Sequence, residues 1–320
     1  MEKPYVLLLE RLSAGATEEL DRQATLLKPP SPDAGVSIVS DLPVRAVITR
    51  GKGQVDRALI DACPKLELIA RAGVGLDNVD VDYATQKGIK VINTPGANAA
   101  TVAEHTLGLL LALRRNLFEA ILQNKGGNWA YRHEYVGDEL RGQTIGILGR
   151  GNIGTRVATL AEAFGMKVLY LARTRVQYEE LKSDERNLHE LMAEADVLSL
   201  HLPLTDRTRH LLNAKVLSHC RPYALIINTA RGEIVDHEAL DAALEAGRLG
   251  GYAADVMNEQ QRKAHAALIE RTNVLITPHV ASLTNRTFTD MCETTVRNVG
   301  ALLAGKGIPE RYVANRNVNR

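Results

Sequence analysis

Short apolar segments recur along the chain and alternate with segments whose apolar residues are spaced three or four positions apart. Apolar runs of four to five residues, as at positions 5–9, 46–49 and 144–148, are typical of strands that are buried on both faces. The intervening spacing is typical of helices with one buried face. Because strands and helices alternate, the pattern predicts an α/β fold built on parallel sheets.

The N-terminal third of the chain carries one such series. We predict strands at 5–9, 36–39, 46–49, 66–70 and 89–92, and helices at 14–27, 56–63 and 81–87. Thr101 and Glu104 then match a capping box, which predicts a helix that opens there and runs to about Arg115. This helix is apolar on most faces, so we expect it to be buried between two domains. We predict that a loop with Trp129, Tyr131 and His133 follows it.

A second alternating series begins near residue 144. We predict strands at 144–148, 167–171, 197–200, 224–228, 252–255 and 274–276. We predict helices at 155–164, 188–193, 213–218, 237–246 and 284–303. Residues 314–320 are polar and show no periodicity, and we expect them to be disordered.

The composition argues against several classes of protein. The chain has 320 residues, which favours two domains, and its net charge of +1 argues against nucleic acid or an acidic membrane as a partner. The cysteines Cys63, Cys220 and Cys292 lack CxxC spacing, so we expect neither a metal site nor a disulfide framework. We find no signal-peptide pattern, and the longest apolar segment, 107–113, is too short to span a bilayer. A cytoplasmic protein is the expectation.

A glycine-rich turn joins the strand at 144–148 to the helix after it. Its spacing is Gly149-x-Gly151-x-x-Gly154, and strand, turn and helix together are the context that a dinucleotide-binding fingerprint requires. Gly149 permits the sharp turn, Gly151 lets the backbone approach a pyrophosphate, and Gly154 lets the helix lie close to the strand. The helix N-terminus offers N–H groups and a partial positive charge to phosphates. The turn therefore predicts a dinucleotide cofactor.

Six ordered segments extend this evidence over nearly the whole chain. They are RAGVGLDNVD (71–80), INTPGANAATVAEHTLGLLLAL (92–113), ELRGQTIGILGRGNIG (139–154), ADVLSLHLPLTDRTRHLLN (195–213), INTARGEIVDHEAL (227–240) and NVLITPHVAS (273–282). In them the chain resembles the D-isomer-specific 2-hydroxyacid dehydrogenases, which include glyoxylate and hydroxypyruvate reductases and phosphoglycerate dehydrogenase. The resemblance implies two Rossmann-like or flavodoxin-like parallel-sheet domains with a cleft between them.

The resemblance also implies how the chain is divided and what it does. Residues 1–98 with 284–320 would form the substrate domain, and residues 99–283 the nucleotide-binding domain of a homodimer. The implied activity is hydride transfer between a nicotinamide cofactor and a small 2-keto or 2-hydroxy acid of D configuration. We expect reduction of an acid such as glyoxylate or hydroxypyruvate. The alternative is a non-catalytic dinucleotide-sensing protein on the same fold, because fold alone does not decide function.

Several residues match functional positions of the family. Arg231 matches the arginine that holds the substrate carboxylate, which a planar guanidinium grips with two hydrogen bonds. His279 matches the histidine that protonates the keto oxygen, since its ordinary pKa of about 6.5 suits that role. The implied substrate contacts are Arg50, Gly73, Val74, Gly75, Asn98, Arg231 and His279. The implied cofactor contacts are Val102, Gly149, Gly151, Asn152, Ile153, Gly154, Arg173, Thr174, Arg175, His201, Leu202, Pro203, Thr208, Thr229, Ala230, Arg231, Asp255, His279 and Ser282.

The chain departs from the family at the residue that selects the cofactor. An acidic residue that binds the 2′-hydroxyl of NAD is expected about 20 residues after the last glycine, and position 172 (172 − 154 = 18) is alanine. Arg173 and Arg175 follow it and offer positive charge to a 2′-phosphate. The alternative is that these arginines form a solvated basic turn with no role in cofactor binding. We favour NADPH, with NAD as the alternative.

The second departure concerns the third catalytic residue. The family places a glutamate five positions after the aspartate that corresponds to Asp255, and this count (255 + 5 = 260) reaches Gln260. The count needs no gap, which slightly favours Gln260, whereas a gap would give the position to Glu259. Without a carboxylate there, His279 loses the charge that stabilises its protonated form.

Overall fold

The chain folds into two units, each built on one parallel sheet. The structure, a computed structural model, describes residues 3–39, 42–172 and 183–316. One unit comprises residues 1–98 and 283–320, and the other comprises residues 99–282. The predicted fold class of two parallel-sheet α/β domains is confirmed. The roles of these units in binding substrate and nucleotide stay predictions.

The first unit has a five-stranded sheet in the order β2-β1-β3-β4-β5. Its strands are β1 (Tyr5–Leu8), β2 (Thr25–Leu27), β3 (Val44–Thr49), β4 (Leu68–Arg71) and β5 (Lys90–Ile92). Its helices are α1 (Ala14–Gln23), α2 (Gly35–Val39), α3 (Arg57–Asp61), α4 (Val81–Gln86) and, at the C-terminal end of the chain, α13 (Asn285–Leu303).

Successive strand residues of this unit enter separate cores on the two faces of the sheet. Val6 and Ile48 pack with Val296 of α13 on one face. Leu7 and Val47 pack on the other, among the side chains of α3. Alternation of this kind follows from the two-residue period of a strand, and it explains why these strands are apolar at almost every position.

Three predictions for this unit are wrong. The helix predicted at 14–27 ends at Gln23, and the next residues form β2, which pairs with β1. The segment predicted as a strand at 36–39 is the helix α2, in which Gly35 and Val39, four positions apart, are the buried residues. Both segments are short and apolar, and periodicity does not distinguish helix from strand at that length.

The third wrong prediction concerns the C-terminal segment, which we expected to be disordered from residue 314. Asn315 is buried, and its Oδ1 accepts a hydrogen bond of 2.8 Å from the N–H of Val91. Its Nδ2 donates to the carbonyl of Ile89 at 2.9 Å and to Thr85 Oγ1 at 3.0 Å. A polar side chain thus satisfies backbone groups of the edge strand β5, so residues 314–316 are ordered rather than disordered.

The second unit has a seven-stranded sheet in the order β12-β11-β10-β9-β6-β7-β8. Its strands are β6 (Thr144–Leu148), β7 (Lys167–Leu171), β8 (Glu185–Arg186), β9 (Val197–Leu200), β10 (Ala224–Asn228), β11 (Leu249–Ala254) and β12 (Val274–Ile276). Its helices are α5 (Ala99–Arg114), α6 (Leu117–Lys125), α7 (Asn152–Ala163), α8 (Leu188–Glu194), α9 (Ala214–Leu217), α10 (His237–Glu245), α11 (Glu259–Ala264) and α12 (Ala266–Ile269).

Helices cover both faces of this sheet. On one face, Leu107 and Leu110 of α5 share a core with Val157 and Ala161 of α7 and with Ile147 of β6. On the other face, α8, α9 and α10 enclose a second core around β9, β10 and β11. The sheet is therefore buried on both sides, as a parallel sheet requires.

Some predicted boundaries in this unit are also wrong. The helix α5 begins at Ala99 rather than at the predicted Thr101, which therefore lies inside its first turn. The helix α6 occupies part of the predicted loop after Arg115, and residues Trp129–His133 form a 3-10 helix. The helix α7 begins at Asn152 rather than at residue 155. Within the described ranges, no helix is both long and apolar enough to cross a bilayer.

Candidate functional site

The glycine turn after β6 has two positions that admit no side chain. Gly149 has φ of +111°, and a Cβ there would lie 2.6 Å from the carbonyl oxygen of His201. A Cβ on Gly154 would lie 2.0 Å from the carbonyl oxygen of Gly149 and 3.1 Å from Ile147 Cγ2. Gly149 is therefore required by the turn and by the neighbouring strand end, and Gly154 by the close approach of helix to strand.

Gly151 differs, because nothing in the protein demands a glycine there. A Cβ added to Gly151 would meet no atom within 4 Å. Gly151 is also the N-cap of α7, and no side chain caps the first N–H groups of that helix, which belong to Asn152, Ile153 and Gly154. Open space next to uncapped N–H groups fits a pyrophosphate, which would accept hydrogen bonds from the helix N-terminus.

The end of β9 lies beside this turn. The N–H of His201 donates to the carbonyl of Leu148 at 2.8 Å. The ring Nε2 of His201 lies 2.9 Å from Ser199 Oγ, while its Nδ1 is buried and has no hydrogen-bond partner among the described residues. Burial lowers the pKa of His201 to about 4, so the ring is neutral at physiological pH. An unpartnered ring nitrogen next to the glycine turn fits a cofactor contact.

The residues after His201 form a turn that is held by hydrogen bonds among its own residues. Thr208 Oγ1 donates to the carbonyl of Pro203 at 2.7 Å and accepts from the N–H of Thr205 at 2.8 Å. Leu202 lies at the start of this segment and packs against the core. The predicted cofactor contacts at 201–203 and 208 therefore belong to one continuous segment that follows the end of β9.

Asp255, at the end of β11, organises the segment that carries His279. Its carboxylate is 1% exposed. The Oδ1 accepts hydrogen bonds from Thr277 Oγ1 and from the N–H of Val280, and the Oδ2 accepts one from the N–H of Ala281, at 2.5, 2.8 and 2.8 Å. A buried charge held by three donors fixes the loop after β12.

His279 lies inside this loop in a left-handed conformation, with φ of 57°. Residues other than glycine adopt this conformation rarely, and it persists where the surroundings fix the backbone. Here the three donors to Asp255 flank His279 on both sides in the sequence. His105 adds a further contact from α5, with its Nε2 3.0 Å from Thr277 Oγ1 and 3.7 Å from Asp255 Oδ1. His105 thereby supports the same loop.

Arg231 follows the end of β10, where the buried Asn228 shapes the turn. The Nδ2 of Asn228 donates to the carbonyl of Arg231 at 2.9 Å, and its Oδ1 accepts from the N–H of Ala230 at 3.0 Å. Thr229 Oγ1 lies 3.0 Å from Thr106 Oγ1 of α5. Because β10, β11 and β12 are neighbours in the sheet, Arg231, Asp255 and His279 follow three adjacent strand ends.

The two candidates for the third catalytic residue lie in α11. Glu259 and His279 both line a cavity of about 710 Å³, together with residues that include Arg262 and Glu270. Gln260 is not among the lining residues. The Glu259 carboxylate is 83% exposed and pairs with Lys263 at 2.7 Å. The structure therefore brings Glu259, rather than Gln260, to the cavity that His279 lines.

In the first unit, Arg50 follows β3 in a loop built around Glu10. The Oε2 of Glu10 accepts hydrogen bonds from the N–H groups of the four residues 50–53, at 2.7 to 3.3 Å. Burial raises the pKa of Glu10, but these donors outweigh that effect and hold its pKa below the ordinary value. The guanidinium of Arg50 lies 4.4 Å from the centre of the Phe288 ring. Our sequence analysis did not identify Glu10, although an acidic residue directly after an apolar strand was a visible signal.

The segment 73–75 follows β4. The N–H of Gly73 donates to the carbonyl of Arg71, and the carbonyl of Gly73 accepts from the N–H of Thr94, both at 2.9 Å. A Cβ on Gly73 would lie 1.8 Å from a guanidinium nitrogen of Arg71. The carbonyl of Val74 accepts from Asn93 Nδ2 at 2.6 Å. The segment is thus held by Arg71 on one side and by Asn93 and Thr94 on the other. The part played by Arg71 was not predicted from the sequence.

The remaining predicted contacts are distributed as follows. Val102 is buried in α5, and its carbonyl accepts a hydrogen bond from Thr106. Gly75 and Asn98 lie in the first unit, and Ser282 is the last residue of the second. Arg173, Thr174 and Arg175 lie outside the described residues. No group of three or more metal-ligating side chains occurs in the part of the chain that the structure describes.

We expect the substitution Asp255→Asn to loosen the loop 277–282. The asparagine side chain would turn an N–H donor towards one of the backbone N–H groups that now donate to the carboxylate. The negative charge would also be lost. The free energy of unfolding should fall by about 1–3 kcal/mol, and hydrogen exchange should accelerate at 277–282. Asp206→Asn, at an exposed position, is the control. Unchanged exchange at 277–282 would contradict the role given to Asp255.

Comparisons with known proteins agree with this geometry. A family model described as "D-isomer specific 2-hydroxyacid dehydrogenase, NAD binding domain" matches residues 107–281, more than half of the chain. The chain is 40% identical over 281 residues to the glyoxylate reductase of Aeropyrum pernix, which covers 85% of this chain and 83% of that one. It is 35% identical over 327 residues to the glyoxylate reductase of Thermococcus litoralis, with 99% and 98% covered.

A solved structure extends the similarity to three dimensions. The crystal structure of the NADPH-dependent glyoxylate/hydroxypyruvate reductase of Sinorhizobium meliloti, in complex with citrate, matches with a TM-score of 0.86 and 31% identity, covering 99% of both chains. Sequence and fold therefore agree over almost the full length. The chain belongs to the D-isomer specific 2-hydroxyacid dehydrogenase family.

Proposed function

We propose that this enzyme reduces a small 2-keto acid, such as glyoxylate or hydroxypyruvate, to the D-2-hydroxy acid with NADPH. The observation that carries the proposal is the placement of Arg231 after β10 and of His279 after β12, the two strands that flank β11, with Asp255 after β11 fixing the histidine loop. Ligands of parallel α/β sheets bind outside the carboxyl ends of the strands. A cation and an acid/base group at that edge are what reduction of a keto acid requires.

Each side chain has a distinct part in the reaction. Arg231 binds the substrate carboxylate through two N–H groups of its guanidinium. A nicotinamide bound here would supply the hydride, and His279 would donate the proton that the keto oxygen gains. Gly73, Val74, Gly75, Arg50 and Asn98 are further substrate contacts in this proposal, on their correspondence in sequence with the family.

The cofactor preference rests on the end of β7. Ala172 follows this strand, and its N–H donates to the carbonyl of Arg186 at 2.9 Å. Its methyl group has no oxygen to accept a hydrogen bond from the 2′-hydroxyl of NAD. The Sinorhizobium meliloti relative of known structure is NADPH-dependent. The residues after Ala172 in the sequence, Arg173 and Arg175, supply cations for a 2′-phosphate.

The proposal includes a homodimer. Of the ten large apolar side chains that are exposed in the described part of the chain, six fall in α6 and the segment after it; they are Leu117, Phe118, Ile121, Leu122, Trp129 and Val136. We call this set the α6 surface. The helix α6 contributes no buried residue to its own unit, and an apolar surface of this size on a folded protein marks an interaction site.

We also place the enzyme in the cytoplasm. Cys63, Cys220 and Cys292 are all free thiols. Burial raises the pKa of Cys63 to about 11 and of Cys220 to about 12, so neither is a reactive thiolate. Buried free cysteines suit a reducing compartment. Detection of the protein in a periplasmic or secreted fraction would refute this assignment.

The first experiment tests activity and cofactor together. We expect oxidation of NADPH with a panel of 2-keto acids, and NADPH should bind about tenfold or more tightly than NADH, since a hydrogen bond to a charged group contributes about 1.5–3 kcal/mol. Arg173→Ala should reduce that preference, while Arg248→Ala, at an exposed position, should not. Tight cofactor binding without turnover of any acid would favour the dinucleotide-sensing alternative. Equal affinities for the two cofactors would refute the NADPH preference.

A second experiment identifies the electrostatic partner of His279. We propose Glu259, whose negative charge would stabilise the protonated ring of His279. Reduction needs the protonated ring, so activity falls as rising pH removes that proton, and Glu259→Gln should move the falling limb of kcat/KM to lower pH. Because Glu259 is exposed, the shift should be about half a pH unit or less.

A matched variant should shift the falling limb in the opposite direction. Lys263→Ala leaves the Glu259 charge without its ion-pair partner, so the limb should move to higher pH. Gln260→Glu should change the limb little. If only Gln260→Glu moves it upward, then Gln260 occupies the family position and Glu259 has no part in the titration.

A third experiment tests the dimer. Phe118→Asp places a charge in the α6 surface, so analytical ultracentrifugation should show a loss of dimer in this variant. Phe164→Asp, at another exposed apolar position, is the control and should remain dimeric. A wild-type protein that sediments as a monomer at micromolar concentration would refute the homodimer.

A further inference from the structure

Arg150 lies in the glycine turn, between Gly149 and Gly151, and its side chain reaches the neighbouring strands. Its guanidinium carbon lies 4.2 Å from the centre of the Tyr170 ring of β7. Its Nη1 lies 3.7 Å from Asp184 Oδ2 and 4.0 Å from Glu185 Oε1. The side chain is 46% exposed. A cation is therefore held over an aromatic face, at the edge of the fingerprint turn.

The guanidinium of Arg150 donates no hydrogen bond to any residue in the described ranges. Both carboxylates lie beyond hydrogen-bond distance. Stacking on Tyr170 nevertheless restricts the plane of the guanidinium. A restricted cation with free donors is suited to an anion with several oxygens, such as a phosphate.

The position of Arg150 relates it to one end of the cofactor. In dinucleotide-binding folds the adenosine ribose lies near the carboxyl end of the second strand, which here is β7, the neighbour of β6 in the sheet. Tyr170 is the penultimate residue of β7 and pairs with Glu185 of β8. Arg150 therefore extends from the glycine turn towards the end of β7. There Ala172 stands in place of the family's acidic residue.

We propose that Arg150 is a specificity-determining residue that binds the 2′-phosphate of the cofactor, and that Asp184 and Glu185 oppose this binding. The two carboxylates attract the guanidinium when no phosphate is present and repel a phosphate dianion. Arg150 and the carboxylates thus set the affinity for a 2′-phosphate by opposing charge. The inference deepens the proposed NADPH preference and rests on it, but it concerns residues that the family resemblance does not assign.

The test uses ligands that carry no nicotinamide, so it needs no activity. Binding of 2′,5′-ADP and of ADP is measured by isothermal titration calorimetry. Arg150→Ala should weaken 2′,5′-ADP about tenfold or more and change ADP less than about threefold, because only the former carries the extra phosphate. Arg150→Lys, which keeps the charge and loses the planar stack, should recover part of the loss. Arg141→Ala, which removes an arginine that is 82% exposed near the other end of β6, should bind like wild type.

A second variant is expected to strengthen binding, which a loss of folding could not do. Asp184→Asn removes a repelling charge, so it should tighten 2′,5′-ADP about two- to fivefold and leave ADP unchanged. If Arg150→Ala weakens both ligands equally, or if Asp184→Asn changes neither, Arg150 has only a structural contact with Tyr170 and the inference is overturned.

The failure of this inference differs from the failure of the proposed cofactor. If wild type prefers 2′,5′-ADP and Arg173→Ala removes the preference while Arg150→Ala does not, the inference alone fails. If wild type has no preference but Arg150→Ala weakens 2′,5′-ADP and Asp184→Asn tightens it, the NADPH preference fails and the inference holds. If neither a preference nor a variant effect appears, both fail.

Discussion

A buried carboxylate holds the candidate site together. Asp255 ends β11 and accepts hydrogen bonds from three groups of the segment that follows β12. Burying a charge is unfavourable unless donors compensate it, so the loop must take the one path that brings those donors to the carboxylate. His279 lies on that path with a backbone conformation that few residues adopt. The position of the acid/base group is therefore a consequence of satisfying Asp255.

The first unit uses the same physical device. Glu10 lies just after β1 and accepts hydrogen bonds from four successive backbone N–H groups of the loop after β3. Such a concave run of N–H groups attracts an anion, and here the protein supplies its own. In both units a carboxylate at one strand end fixes the loop at a neighbouring strand end. The loops that carry Arg50 and His279 are thus held by side chains that belong to other strands.

The fold class and the positions of most strands along the chain followed closely from the sequence. The strand β7 and the strand β10 have the predicted boundaries, and the glycine spacing located the turn after β6. These features are encoded locally, by apolar runs and by glycines whose φ or contacts exclude a side chain. The segments that failed, α2 and β2, have five and three residues. At that length a pattern of period two or 3.6 is not resolved.

The sequence by itself determined the α/β class, the dinucleotide turn and the matches of Arg231 and His279 to family positions, because each depends on neighbouring residues in the chain. Only the tertiary structure decided that Asp255 binds the 277–281 segment, that Glu10 closes the loop at 50–53, and that Arg150 stacks on Tyr170. It also brought Glu259 rather than Gln260 to the cavity lined by His279. These contacts join residues that are 20 or more positions apart. Sheet order and helix phase create them, and a linear pattern carries no record of either.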